Sequence, residues 1–169
     1  MAIAIGGFMA TGKTTIGREL ANHFGWPFHD LDDVVNAHCL KQFESSISDL
    51  IVKGRESVFR EVERQCVMNW MSTLSDSTIV ALGGGTLHNT TLGSYIEESH
   101  RLIVLQAEWN SIKQRIEDSQ RPFRQQAEQL FFERRQGYQC GTPFFTDNKD
   151  ISVCIQELAG IILGDLNVN

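Results

Sequence analysis

Positive charge is in short supply in this chain: 15 Lys and Arg stand against 21 Asp and Glu, a formal net charge of −6. A sequence-independent nucleic-acid binder needs a basic field, so that function is excluded, and an anionic ligand must be captured by a local cluster. Long apolar runs are missing too. No uninterrupted stretch approaches the roughly 18 residues that cross a bilayer, so no membrane span is expected. Met1–Ala10 is apolar but carries no basic flank, which argues against a signal peptide. The four cysteines (Cys39, Cys66, Cys140, Cys154) form no C-x-x-C pair, and the five histidines show no ligand spacing. A zinc site or disulfide framework is therefore not expected, and reduced thiols in a cytoplasmic protein are. With 3 Pro and 14 Gly in 169 residues, the composition excludes collagen-like and disordered chains. No repeat or linker divides the sequence, which reads as one domain over 1–169.

What is present alternates between strand and helix. Ala2–Gly6 reads as a short buried strand and Lys13–Phe24 as a helix stopped by Gly25, with Pro27 beyond. Trp26–His29 is a second strand leading into acidic residues. Val58, Val62, Cys66, Trp70 and Leu74 recur every four residues within a helical stretch from Ser45 to Leu74, which Gly54 would break. Thr78–Leu82 and Arg101–Leu105 read as further strands, and Phe144–Thr146 as a fifth. Helices are expected near Glu108–Glu117, Glu128–Gln136 and Ile151–Leu163. Such alternation implies a three-layer α/β/α fold around a five-stranded parallel sheet. Ligands then sit beyond the carboxyl ends of the strands, where the motifs below fall.

Gly7-Phe8-Met9-Ala10-Thr11-Gly12-Lys13-Thr14 matches G-x-x-x-x-G-K-[ST] between a strand and a helix. The glycines let backbone N–H groups curl around a phosphate, and the helix adds its positive N-terminal end. Lys13 would reach the β- and γ-phosphates, and the Thr14 hydroxyl would ligate Mg²⁺. Asp30 and Asp32 close the second strand. Alternation would place both carboxylates on the crevice side, with Asp33 as the better helix cap. Arg60 and Glu63, three apart on a helix, read alone as a solvated pair. Gly83-Gly84-Gly85 at a strand end allows close ligand approach, and Arg121-Pro122 sits in a polar run suited to a mobile flap.

Taken in order, the phosphate loop, Asp30-x-Asp32, Phe59-Arg60-x-x-Glu63, the three glycines, Arg121-Pro122 and Glu133-Arg134…Tyr138 resemble shikimate kinase. The resemblance runs from Ile5 to the terminal helix. It implies a P-loop kinase fold with a substrate-binding region at about 31–62 and a lid at about 117–127. Ala10, Thr11, Gly12, Lys13, Thr14 and Thr15 would wrap the phosphates of ATP, with Mg²⁺ at Thr14 and Asp30. Asp32 would hold the shikimate hydroxyls and assist attack. Arg60 and Arg134 would bind the carboxylate, Glu63 would orient Arg60, and Gly83, Gly84 and Gly85 would lie beside the ring. Arg121 would clamp ATP from the lid and act in catalysis, with Arg124 sharing the clamp. Lys149 is the one candidate for the adenine side. The stretch from Arg121 to Arg134 is shorter than the family's lid. Phe123-Arg124 and Gln136-Gly137 stand where two leucines and Pro-Leu are usual.

These readings imply an ATP- and Mg²⁺-dependent kinase for the 3-hydroxyl of shikimate, cytoplasmic and monomeric, with no nucleic-acid or membrane partner. The alternatives are a kinase of the same fold for gluconate or a nucleotide, and a weakly catalytic nucleotide-binding module.

Overall fold

Burial on both faces of the sheet explains why the strands are short apolar runs rather than alternating ones. The computed structural model describes residues 1–117 and 126–166. Strands β1 (Ile3–Gly7), β2 (Phe28–Asp30), β3 (Ile79–Ala81), β4 (Arg101–Gln106) and β5 (Thr142–Phe145) form one parallel sheet in the order β2-β3-β1-β4-β5. Ile3 and Ile5 of β1 pack into one apolar layer with α1 (Lys13–Phe24) and α8 (Ile151–Leu166). Ala4 faces the opposite layer, beneath α2 (Leu31–Phe43), α4 (Glu56–Gln65), α5 (Thr90–Ser99) and α6 (Trp109–Glu117). β1 therefore sits centrally, and its carboxyl end opens where the connections diverge to either side, the usual ligand position of such sheets.

The helix α1 spans the expected residues because Gly12 adopts φ 99° at its start and Gly25 φ 67° at its end. Gly54, at φ 69°, likewise separates α3 (Ile47–Val52) from α4. Three expectations are corrected. Strand β2 stops at Asp30, because the Asp30 carboxylate accepts from the Asp32 N–H at 3.0 Å and caps α2; Asp33 is not the cap. The helix α4 does not run uniformly to Leu74 but loosens into a π turn at Cys66–Trp70 and a 3₁₀ turn at Met71–Thr73. Helices α2 and α5, absent from the sequence reading, fill the crossovers; α5 is capped by Asn89, which accepts from the Thr91 and Leu92 N–H groups. The helix α7 (Ala127–Arg134) leads through a 3₁₀ turn (Arg135–Gln139) into β5.

Candidate active site

The phosphate loop joins β1 to α1. Gly7, Ala10 and Gly12 all take positive φ (134°, 62° and 99°), which curls the chain around a cradle capped by the α1 N-terminus. Two interactions brace it from inside: Thr11 donates its hydroxyl to the Phe8 carbonyl at 2.8 Å, and the buried Lys13 ammonium donates to the same carbonyl at 2.9 Å. Arg115 of α6 donates to the Ala10 carbonyl at 3.2 Å. Thr14 and Thr15 are exposed at the mouth of the loop.

Asp30 and Asp32 reach the same cleft by different routes. Asp30 accepts the Thr14 hydroxyl at 2.8 Å, so one carboxylate both caps α2 and touches the phosphate loop. Asp32 enters from the first turn of α2, not from a strand face. Residue 32 is exposed overall, but one carboxylate oxygen points inward, only 2.7 Å from where a Cβ on Gly83 would stand. Desolvation of that carboxylate, reinforced by Asp30 and Glu63 and opposed by Lys13 and Arg60, raises its pKa to about 6.

The three glycines after β3 each abut a different part of the site. A Cβ on Gly83 would meet Asp32 and Glu63 at 2.7 and 3.0 Å, and one on Gly84 would meet the Met9 backbone N of the phosphate loop at 3.3 Å. A Cβ on Gly85 would meet Arg60 at 2.9 Å and Arg134 at 3.0 Å. Two guanidiniums distant in sequence thus face the same bare stretch of backbone. Arg134, at the end of α7, is 7% exposed. The solvated reading of Arg60 and Glu63 is overturned, because Glu63 is only 3% exposed and accepts from Arg60 Nη1 at 2.9 Å. Together these groups line a cleft of about 440 Å³ with Lys13, Thr14, Asp30, Asp32 and Phe59.

Sequence reasoning assigned no role to four participants, although Tyr138 belongs to the motifs that carry the resemblance. Glu56 accepts from Arg60 Nε and Nη2 at 3.2 and 2.9 Å, an i,i+4 pairing that spacing alone offers. Thr86 donates to Glu63 at 2.6 Å, and Tyr138 donates to the Gly84 carbonyl at 2.6 Å; only tertiary structure brings these together. Burial pushes the Tyr138 hydroxyl pKa up, keeping it a donor. Arg115 is the fourth. Lys149 ion-pairs with Glu157 at 2.5 Å and lies over the Phe144 ring, contacts within the β5–α8 region. Arg121 and Arg124 lie outside the described residues.

The arrangement offers backbone N–H groups and an ammonium to a polyphosphate at one end and two guanidiniums to a carboxylate at the other, and sets a carboxylate of raised pKa between them. The Thr14 hydroxyl and the Asp30 carboxylate, 2.8 Å apart, suit a cation such as Mg²⁺ that keeps most of its coordination for phosphate and water.

Comparison with known proteins agrees with this chemistry. A shikimate kinase family model matches residues 9–160. The chain is 36% identical over 124 residues to shikimate kinase from Salinibacter ruber, covering 72% of this chain and 58% of that protein, so the match spans little more than half of that relative. It is 28% identical over 172 residues to shikimate kinase from Macrococcus caseolyticus, covering 98% of each. In three dimensions it superposes on the crystal structure of shikimate kinase from Bacteroides thetaiotaomicron with a TM-score of 0.82, at 22% identity, over 96% of this chain and 98% of that one, a likeness of fold. The chain belongs to the shikimate kinase family.

Proposed function

We propose that this chain transfers the γ-phosphoryl group of ATP to the 3-hydroxyl of shikimate. The observation that carries the reading is the convergence of Arg60 and Arg134 on Gly85, across the cleft from the phosphate loop. Two planar guanidiniums match one carboxylate and let an acidic protein hold an anionic substrate. Family membership supplies the remaining support and favours shikimate over gluconate or a nucleotide.

In this reading the backbone of Ala10 to Thr15 and the Lys13 ammonium hold the β- and γ-phosphates. Thr14 and Asp30 would hold Mg²⁺, which supplies neutralisation of phosphate charge when bound. Asp32 accepts a hydrogen bond from the substrate hydroxyl and takes its proton as the oxygen–phosphorus bond forms and the bridging bond to the β-phosphate breaks. A carboxylate of pKa about 6 is mostly ionised at neutral pH yet basic enough to share that proton. Glu56 and Glu63 fix the Arg60 plane, and Tyr138 pins the glycine corner to the segment carrying Arg134. Arg121 would close on the phosphates from the lid and exclude water.

We read the enzyme as a monomer and as cytoplasmic, the second of which its unpaired cysteines support. Sedimentation as a single chain tests the first statement. A substrate panel tests the reaction: shikimate should drive ADP release, and gluconate and nucleoside monophosphates should not. Robust turnover of either alternative with shikimate inert would overturn the assignment.

A further inference from the structure

Glu63 is 3% exposed, and a buried carboxyl group needs hydrogen-bond partners for both oxygens. One oxygen, Oε2, accepts from Arg60 Nη1 at 2.9 Å. The other, Oε1, accepts the hydroxyl of Thr86 at 2.6 Å, and Thr86 is fully buried in the 3₁₀ turn Thr86–His88 that follows the glycines. The Thr86 oxygen, Glu63 Oε1 and Asp32 Oδ1 all lie within 3.0 Å of the space a Gly83 side chain would fill, so this contact needs the bare backbone at Gly83.

Counting donors on Arg60 gives the consequence. A guanidinium has five N–H groups. Glu56 takes one on Nε and one on Nη2, and Glu63 takes one on Nη1. One N–H remains on each terminal nitrogen, and these two nitrogens stand 2.9 and 3.0 Å from the Gly85 Cβ position, beside Arg134. That remaining pair suits bidentate binding of a carboxylate, provided the guanidinium plane is held. Glu63 holds it best when its own carboxylate keeps one orientation about its last bond, and the Thr86 hydroxyl at 2.6 Å is placed to restrain that rotation.

We propose that Thr86 is a positioning residue for substrate binding, acting through Glu63 on the orientation of Arg60. The proposal rests on the reading that Arg60 binds the shikimate carboxylate. Thr86→Val keeps the shape and removes the hydroxyl; Thr86→Ala removes it without a branched replacement; Thr86→Ser returns it.

The test is steady-state kinetics on these three variants beside Arg60→Ala, with thermal melts on each. Thr86→Val and Thr86→Ala should raise the KM for shikimate about tenfold, the equivalent of about 1.4 kcal/mol. Their kcat and KM for ATP should stay within about twofold, and Thr86→Ser should restore the shikimate KM. A role confined to stability would lower the melting temperature and leave the shikimate KM alone; that result, in whichever of the Val and Ala variants folds, overturns the proposal. So does a Thr86→Ser variant as impaired as Thr86→Val. If Arg60→Ala raises the shikimate KM while the Thr86 variants do not, the relay fails and the Arg60 assignment stands. If Arg60→Ala itself leaves that KM unchanged, both fall together.

Discussion

Replacing Gly85 by alanine adds one methyl group at the point where the two arginines meet. The backbone there, at φ −117°, accepts any residue, so no conformational strain follows. The added carbon would lie 2.9 and 3.0 Å from the Arg60 terminal nitrogens and 3.0 Å from Arg134 Nη1. Ordinary heavy-atom contact is nearer 3.5 Å, so both guanidiniums must retreat by about 0.5 Å or more. Because these are the ends of flexible side chains, the fold tolerates the change. Arg60 is 30% exposed, and loosening its pairing with Glu63 should cost only about 1 kcal/mol once solvent screening is allowed for. Binding suffers far more, since the methyl occupies the space the substrate carboxylate needs and spoils a charge-assisted contact to each arginine. At about 1.5–3 kcal/mol per contact, the loss is roughly 3–6 kcal/mol, or at least a hundredfold in affinity. Gly85→Ala should therefore melt within a few degrees of wild type, keep its KM for ATP, and lose shikimate saturation in an ADP-release assay. A folded Gly85→Ala enzyme whose shikimate KM lies within threefold of wild type would refute the placement of the carboxylate between these arginines.

Arg60→Lys should be impaired nearly as much as Arg60→Ala in shikimate KM, because an ammonium lacks the planar fork; wild-type kinetics in the lysine variant would remove the bidentate contact. Asp32→Asn should lower kcat by about 10²-fold or more with folding intact. In wild type the base form lies above the raised pKa of about 6 in the free protein, so kcat/KM for shikimate should hold near neutrality and fall as pH drops through 6; a flat acid limb would contradict the role. Asp30→Asn keeps a capping oxygen for α2 but loses the charge beside Thr14, so it should raise the Mg²⁺ concentration needed for half-maximal rate without lowering stability; an unchanged Mg²⁺ dependence would leave Asp30 a cap alone. Arg121→Ala should raise the KM for ATP and lower kcat, with Arg124→Ala smaller in the same direction; parity of Arg121→Ala with wild type would mean the lid does not clamp.

The phosphate loop was legible because its chemistry is contiguous: eight neighbouring residues hold the whole cradle. Its helix was legible too, since Gly12 and Gly25 punctuate it by backbone conformation rather than by packing. Asp32 lines the cleft from the first turn of a helix, not from a strand face. Strand alternation cannot foresee that Asp30 caps its own chain and turns Asp32 onto a helix. The α2 helix went unread because its apolar residues (Leu31, Val34, Val35, Ala37, Cys39, Leu40 and Phe43) are spread around the helix and form no single stripe, and α5 because Thr90, Thr91 and Gly93 are poor helix formers. The burial of Glu63, its contact with Thr86 and the meeting of Arg60 with Arg134 depend on long-range packing, which no local spacing encodes. Only the resemblance of the ordered motifs pointed to that pairing beforehand.

Shikimate-dependent ADP release, measured side by side for wild type and Lys13→Ala, decides whether this cleft moves phosphate from ATP to shikimate. Lys13 is buried against the phosphate loop, so its loss should abolish transfer while leaving the glycine corner and the two arginines in place. ADP release should require both ATP–Mg²⁺ and shikimate in wild type and fall to background in Lys13→Ala. Wild-type protein that binds ATP–Mg²⁺ yet releases no more ADP with shikimate than the Lys13→Ala variant would contradict it.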